Sequence, residues 1–203
     1  MTAEIKPIGK LRFDALASYC RSPETALFSD EIEWHQTLEE NILIVVIKDR
    51  TDSDFLAILL CRDLKERYRF IHMTAFYESA AETLENVSKK IDQVLADFEN
   101  VRHQGDEKGA PVDFFSPVVS DARLNSDFKT MTTLAGFSPA LEIMKPMMRW
   151  YEDPDGNFIQ QFQTDDFNTR FWEIYLFCNV VRGSVRSAAT TSSSRLFRKW
   201  PIR

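Results

Sequence analysis

Glycine is scarce in this chain, six in 203 residues, and histidine and cysteine are scarcer, three of each. A loop that cradles phosphate needs glycines in close succession, so that backbone N–H groups can approach the ligand. No G-x-G-x-x-G, G-x-x-x-x-G-K-[ST] or G-x-S-x-G is present, which argues against the common nucleotide loops and the nucleophile elbow. Cys20, Cys61 and Cys178 are odd in number, widely spaced and set among apolar residues. They read as reduced, buried thiols rather than a disulfide framework or a metal site. His35, His72 and His103 are equally scattered, and none has a partner at zinc-ligand spacing. Long apolar runs are missing too. The longest, Phe55–Cys61, is far short of the ~20 residues of a membrane helix. The N-terminus "MTAEIKPIGKLRF" lacks the apolar core of a signal peptide. A cytoplasmic protein without a membrane segment is expected.

The last 22 residues, "RGSVRSAATTSSSRLFRKWPIR", hold no acidic residue. They carry Arg182, Arg186, Arg195, Arg198, Lys199 and Arg203, with seven Ser/Thr between them. The whole chain is at −6, so residues 1–181 stand at −12 and the tail at +6. An acidic body repels phosphate backbones, and only the tail attracts them. Those six residues are therefore the candidate nucleic-acid contacts, weak and sequence-independent. The run "SAATTSSS" is of low complexity, and residues 182–203 are expected to form a disordered basic tail.

What is present suits a globular body: 44% apolar residues, sixteen Phe and four Trp. Phe13, Leu16, Ala17 and Cys20 share one helical face, a docking helix within 1–23 that ends at Ser22-Pro23. Residues 24–104 read as an antiparallel sheet plus helix. "EIEWH" alternates, "NILIVVIK" and "DFLAILLC" are continuous apolar runs, and "RYRFIHMTAFY" alternates with Tyr68, Phe70, His72, Thr74 and Phe76 on one face. The short polar links "QTLEE", "DRTDS" and "RDLKE" favour antiparallel neighbours, hence a four-stranded meander. Ser79 and Glu82 form a capping box ahead of Ala81, Leu84, Ser88, Ile91, Leu95 and Phe98. That is one long helix covering the sheet. Residues 105–111 form a polar linker. Residues 112–181 read as helical, with a cap at Asn125 or Ser126, Pro139 opening a helix that Pro146 should kink or split, and a last helix over "FNTRFWEIYLFCNVV". The fold class is α+β, followed by a mainly helical region and the tail.

Candidate chemistry is thin. Asp49, Asp52 and Asp54 cluster in "DRTDSD", but Arg50 interrupts them and the Gly and Glu of a calcium loop are missing. A hairpin turn is the better reading. Met144, Met147 and Met148 with Trp150 make a soft apolar surface, either core filling or a partner face. Glu173 lies in a helix that is apolar nearly all round. It needs Arg170 or Arg149 as a partner, or a metal. A helix apolar on every side also needs a covering layer, which predicts self-association if that layer is missing. The aromatic sheet face leaves a small-ligand sensor as a further reading.

Three stretches, "ALFSDEIEW" (26–34), "IKDRTDSDF" (47–55) and "FNTRFWEIYLF" (167–177), together resemble a family of bacterial proteins longer than this chain. In that family an N-terminal α+β region precedes a domain similar to the PD-(D/E)xK nucleases. The resemblance spans roughly residues 10–180. It implies that Glu173 matches the carboxylate on the first helix of the nuclease core, and that Mg²⁺-assisted phosphodiester hydrolysis belongs to the intact relative. The metal-binding Asp and the (D/E)-x-K pair would follow on strands, and no such strands follow residue 181. A truncated or frameshifted member is therefore expected. Such a chain is a non-catalytic accessory or interaction module with an unknown protein partner, no cofactor of its own, and Glu173 as a remnant metal-site carboxylate.

Overall fold

The computed structural model describes residues 4–17, 19–21, 25–153 and 156–190. Its centre is an antiparallel sheet of five strands, not four, in the order β1-β2-β3-β4-β5. The strands are β1 (Ile5–Pro7), β2 (Ser29–Thr37), β3 (Ile42–Asp49), β4 (Phe55–Arg62) and β5 (Tyr68–Met73). The meander expected from the short polar links forms β2 to β5. The added strand β1 is three residues long and pairs its Pro7 with His35 at the sheet edge, where a missing N–H is tolerated.

Strand β3 explains the layering. All of Ile42–Ile47 is buried, which an unbroken apolar run requires when both faces are covered. Ile42, Ile44 and Val46 pack with Ala57 and Leu59 against Val87, Ile91 and Val94 of helix α3 (Ala80–Ala96). Leu43, Val45 and Ile47 pack with Leu56, Leu60 and Tyr68 against Phe13, Leu16 and Ala17 of helix α1 (Lys10–Ala17). Two helices therefore cover the sheet where one was expected. The N-cap of α3 is Ser79, whose hydroxyl accepts from the Glu82 N–H at 3.2 Å. A bulge in β5 breaks its expected alternation. Leu59 pairs with His72 and Leu60 with Phe70, which leaves Ile71 as an extra residue. Tyr68 consequently joins the α1 face, while His72 stands opposite Leu59 of the α3 face.

The helical region has its own core. Phe114, Phe128, Met131, Met144, Met147, Met148, Phe158, Phe162, Phe167, Ile174 and Cys178 are buried together. After the single turn α2 (Thr25–Phe28) and α4 (Phe98–Val101), the helices here are α5 (Ser126–Thr133), α6 (Ser138–Met148), α7 (Phe158–Gln163) and α8 (Phe167–Thr190). Asn125 caps α5, its side-chain oxygen accepting from the Asp127 and Phe128 N–H groups at 2.7 and 3.3 Å. Helix α6 runs unbroken through Pro146. The carbonyl that loses its donor there belongs to exposed Glu142, at the solvent side of the helix, where losing the bond costs least. Gln163 is fully buried and ties the loop before α5 to α7. Its amide donates to the Phe114 and Ser116 carbonyls at 2.9 and 2.8 Å, and its oxygen accepts from the Val118 N–H at 2.8 Å.

The last helix does not stop at residue 181. α8 continues to Thr190, so the stretch read as a disordered tail begins as helix. Residues 191–203 lie outside the described residues.

Candidate functional site

Helix α8 carries the one carboxylate that the sequence singles out. Phe167, Ile174 and Cys178 face the core, which turns Glu173 to the rim of that core with 41% of its side chain exposed. Both of its oxygens are occupied. The Tyr151 hydroxyl donates to one at 2.5 Å, and the Arg170 guanidinium donates to the other at 2.5 Å. Arg170 is held in turn by the Gln161 side-chain oxygen and by the Phe158 ring, 5.5 Å from the guanidinium carbon. Burial, with the Glu173 carboxylate as acceptor, pushes the Tyr151 phenol well above its ordinary pKa. Of the two arginines expected as partners, Arg170 is the one used, and Arg149 donates to the Val112 carbonyl instead.

A guanidinium at ion-pair distance takes the place a dication would need. Among the described residues, the one group of three potential ligands within 4.8 Å of each other is Asp63, Asp106 and Glu107, and Glu173 is not in it. The residues around Glu173 do not fit Mg²⁺.

The acidic trio is a structural knot that the sequence reading missed. Asp63 directly follows β4 and is completely buried. One carboxylate oxygen accepts from the Lys65 and Arg67 backbone N–H groups at 2.8 and 2.9 Å, which folds the turn between β4 and β5. The other accepts from the Arg67 guanidinium, with N–O distances of 2.8 and 2.7 Å. Asp106 bridges Arg67 and Arg69 at 3.4 and 3.1 Å. The Trp150 ring lies 5.2 Å from the Arg67 guanidinium carbon and 5.8 Å from that of Arg69, and stacks on Tyr19 at 6.0 Å. The knot thus joins the sheet, the 105–111 segment and the helical region. Glu107 is spent on the backbone, accepting from the Gln104 and Gly105 N–H groups at 2.7 and 2.8 Å. The available signal was "DLKER", an Asp that closes its own turn two residues on.

The other candidates resolve separately. Asp49 and Asp52 accept from the Thr51 and Asp54 N–H groups at 2.6 and 3.2 Å, as a hairpin turn requires. His35 pairs with Glu33 at 3.0 Å. The pKa of His72 is lowered by burial and by nearby Lys90. Met144, Met147 and Met148 are core. Arg182 and Arg186 lie on the α8 backbone, while Arg195, Arg198, Lys199 and Arg203 fall outside the described residues. An open groove of about 440 Å³ lies between the β2–β3 turn and the end of α3, lined by Glu4, Thr37, Leu38, Glu39, Asn41, Leu95 and Phe98. Its two carboxylates and lack of bases disfavour anions.

No family model, curated protein or solved structure matches the chain. No helix among the described residues is long and apolar enough to cross a membrane.

Proposed function

We propose that this chain is a non-catalytic interaction module, related to the region that precedes a nuclease-like domain. The observation that carries this reading is the use of Glu173. Its two oxygens are taken by Tyr151 and Arg170, so it braces α8 against the helical core. The other side of α8 is left for contact, with Phe171, Trp172, Tyr175 and Leu176 at 41%, 58%, 51% and 47% exposure. Phosphodiester hydrolysis is the test. The purified full chain is incubated with labelled single- and double-stranded DNA and Mg²⁺, beside its Glu173→Gln variant. Neither protein should cleave. Cleavage by the parent that the substitution abolishes would overturn the reading.

A second reading rests on charge segregation. The acidic body and the six bases of 182–203 suit weak, sequence-independent binding of nucleic acid through Arg182, Arg186, Arg195, Arg198, Lys199 and Arg203. Log Kd should rise with log salt at a slope of roughly 4–5. Removing residues 182–203 should abolish the binding. Unchanged binding after that deletion would exclude this mode.

A further inference from the structure

We infer that Arg67 and Arg69 form a receptor for a carboxylate, which the chain fills for itself with Asp106, carried on a strap that lifts away. The site stands apart from α8 and from Glu173, and so goes beyond the interaction-module reading.

The receptor is built without the strap. Arg67 directly precedes β5 and Arg69 lies in it. Buried Asp63 holds the Arg67 guanidinium at 2.7 Å and approaches that of Arg69 at 3.7 Å. The Trp150 ring lies 5.2 and 5.8 Å from the two guanidinium carbons, and Tyr19 stacks on that ring. Both arginines are therefore positioned before any outer acceptor reaches them. Asp106 is that acceptor. Its two oxygens accept from Arg69 Nη1 at 3.2 and 3.1 Å, and one of them also accepts from Arg67 Nη2 at 3.4 Å. Asp63 is wholly buried, whereas 56% of the Asp106 side chain is exposed.

The strap is residues 103–111, none of which is buried. Its ends are fixed. Arg102 donates to the Asp63 carbonyl and the Glu66 carboxylate at 3.2 and 3.0 Å, and Arg149 donates to the Val112 carbonyl. Between those ends, Asp106 makes the one set of side-chain bonds to the rest of the fold among the described residues. Glu107 accepts from the Gln104 and Gly105 N–H groups, so the bend is tied to itself and moves as a unit. Gly105 and Gly109 turn the chain at φ 84° and 71°, and open space surrounds the Cβ position of each. An exposed ion pair such as that of Asp106 is weak and screened by salt. It is the part of the knot that gives first.

Charge selects the ligand. With the strap closed, two guanidiniums face two carboxylates, Asp63 and Asp106. Glu107, whose carboxylate lies within 4.8 Å of both, sits on the strap and leaves with it. Opening sets two guanidiniums against Asp63 alone, a surplus of one positive charge. A monoanionic carboxylate cancels that surplus and repeats the contacts of Asp106. A phosphate dianion overshoots it, in a body that stands at −12 over residues 1–181.

Trypsin cleavage after Lys108, inside the strap, reads the opening in the full chain. Rates are taken relative to a synthetic peptide of residues 103–112, which removes the protease's own response to each salt. Asp106→Asn should raise the rate by roughly threefold or more. About 0.5 M NaCl should do the same for the parent and little for the variant. At equal ionic strength, sodium acetate should speed cleavage of the parent roughly twofold beyond chloride. Sodium phosphate should not exceed chloride, and Asp106→Asn should respond to acetate as it does to chloride. Cleavage after Lys89 in α3 follows global unfolding and should stay unchanged throughout. Equal Lys108 rates for parent and variant, or a Lys108 rate that rises only together with the Lys89 rate, would overturn the latch. Acetate no better than chloride, or phosphate better than acetate, would overturn the carboxylate receptor.

Discussion

Replacing Asp63 by Asn tests the knot between sheet and helical region most sharply. The side chain is fully buried, and Asn keeps its size. Asn also keeps one oxygen for the Lys65 and Arg67 N–H groups that close the β4–β5 turn. What changes is the second oxygen, now an NH₂ group facing the Arg67 guanidinium, formerly at 2.8 and 2.7 Å. Two charge-assisted hydrogen bonds are lost, and a half-buried guanidinium is left with Asp106 at 3.4 Å and the Trp150 ring. At about 1.5–3 kcal/mol for a bond to a charged group, partly recovered by Asp106 and water, the loss should be about 3 kcal/mol. Asp63→Ala also frees the two turn N–H groups and should cost about 4 kcal/mol. Urea unfolding followed by tryptophan fluorescence reads the effect, because Trp150 sits on the knot. The midpoint should fall at unchanged slope. Pairing Asp63→Asn with Arg67→Gln should cost at least about 1.5 kcal/mol less than the sum of the singles. A loss below about 1 kcal/mol for Asp63→Asn, or strict additivity, would refute the knot as the link.

Gln163→Leu keeps the volume but strands the Phe114 and Ser116 carbonyls and the Val118 N–H, and should cost about 2–3 kcal/mol in the same assay. The thiols of Cys20 and Cys61 are pushed by burial to about 12 and about 11. Both should resist alkylation at neutral pH and react once the chain is unfolded in urea, as mass spectrometry after timed labelling will show. Glu107 is governed first by burial, which raises its pKa, but the Gln104, Glu107 and Gly105 N–H groups outweigh this and hold it at about 2. The folded value lies below the ordinary 4.5, so its contribution is present above about pH 4.5 and lost as pH falls towards 2. Glu107→Gln should therefore destabilise the protein at pH 7 and make little difference near pH 2.

The parts of the fold legible in the sequence were those where one pattern had one meaning. The runs in β3 and β4 and the helical stripe of α3, with Ser79 ahead of it, are set by burial period and cap chemistry, and they stand where those signals put them. The strand β1 was illegible because three residues with a Pro carry no period. The second cover, α1, was read as a docking helix, yet the symmetric burial of "NILIVVIK" already required apolar partners on both sides. The bulge at Ile71 was invisible, because alternation in "RYRFIHM" holds on either side of the extra residue. Helix α8 passes 181 because a formed helix adds residues at little cost, even where there is little to bury. At the candidate site, the sequence marked Glu173 and one of its two partners. Tyr151 lies 22 residues away across a turn, and no local spacing points to it. The knot at Asp63 was missed for the opposite reason, since a turn Asp looks solvated until the fold brings Arg69, Asp106 and Trp150 around it.

Glu173 is either a brace for α8 or a metal ligand. Isothermal titration of Mg²⁺ into the full chain and into Glu173→Gln decides between them, read beside the melting temperature of each. A brace predicts matching Mg²⁺ titrations with no Glu173-dependent heat, and a lower melting temperature for the variant. A saturable Mg²⁺ heat that vanishes in Glu173→Gln would contradict it.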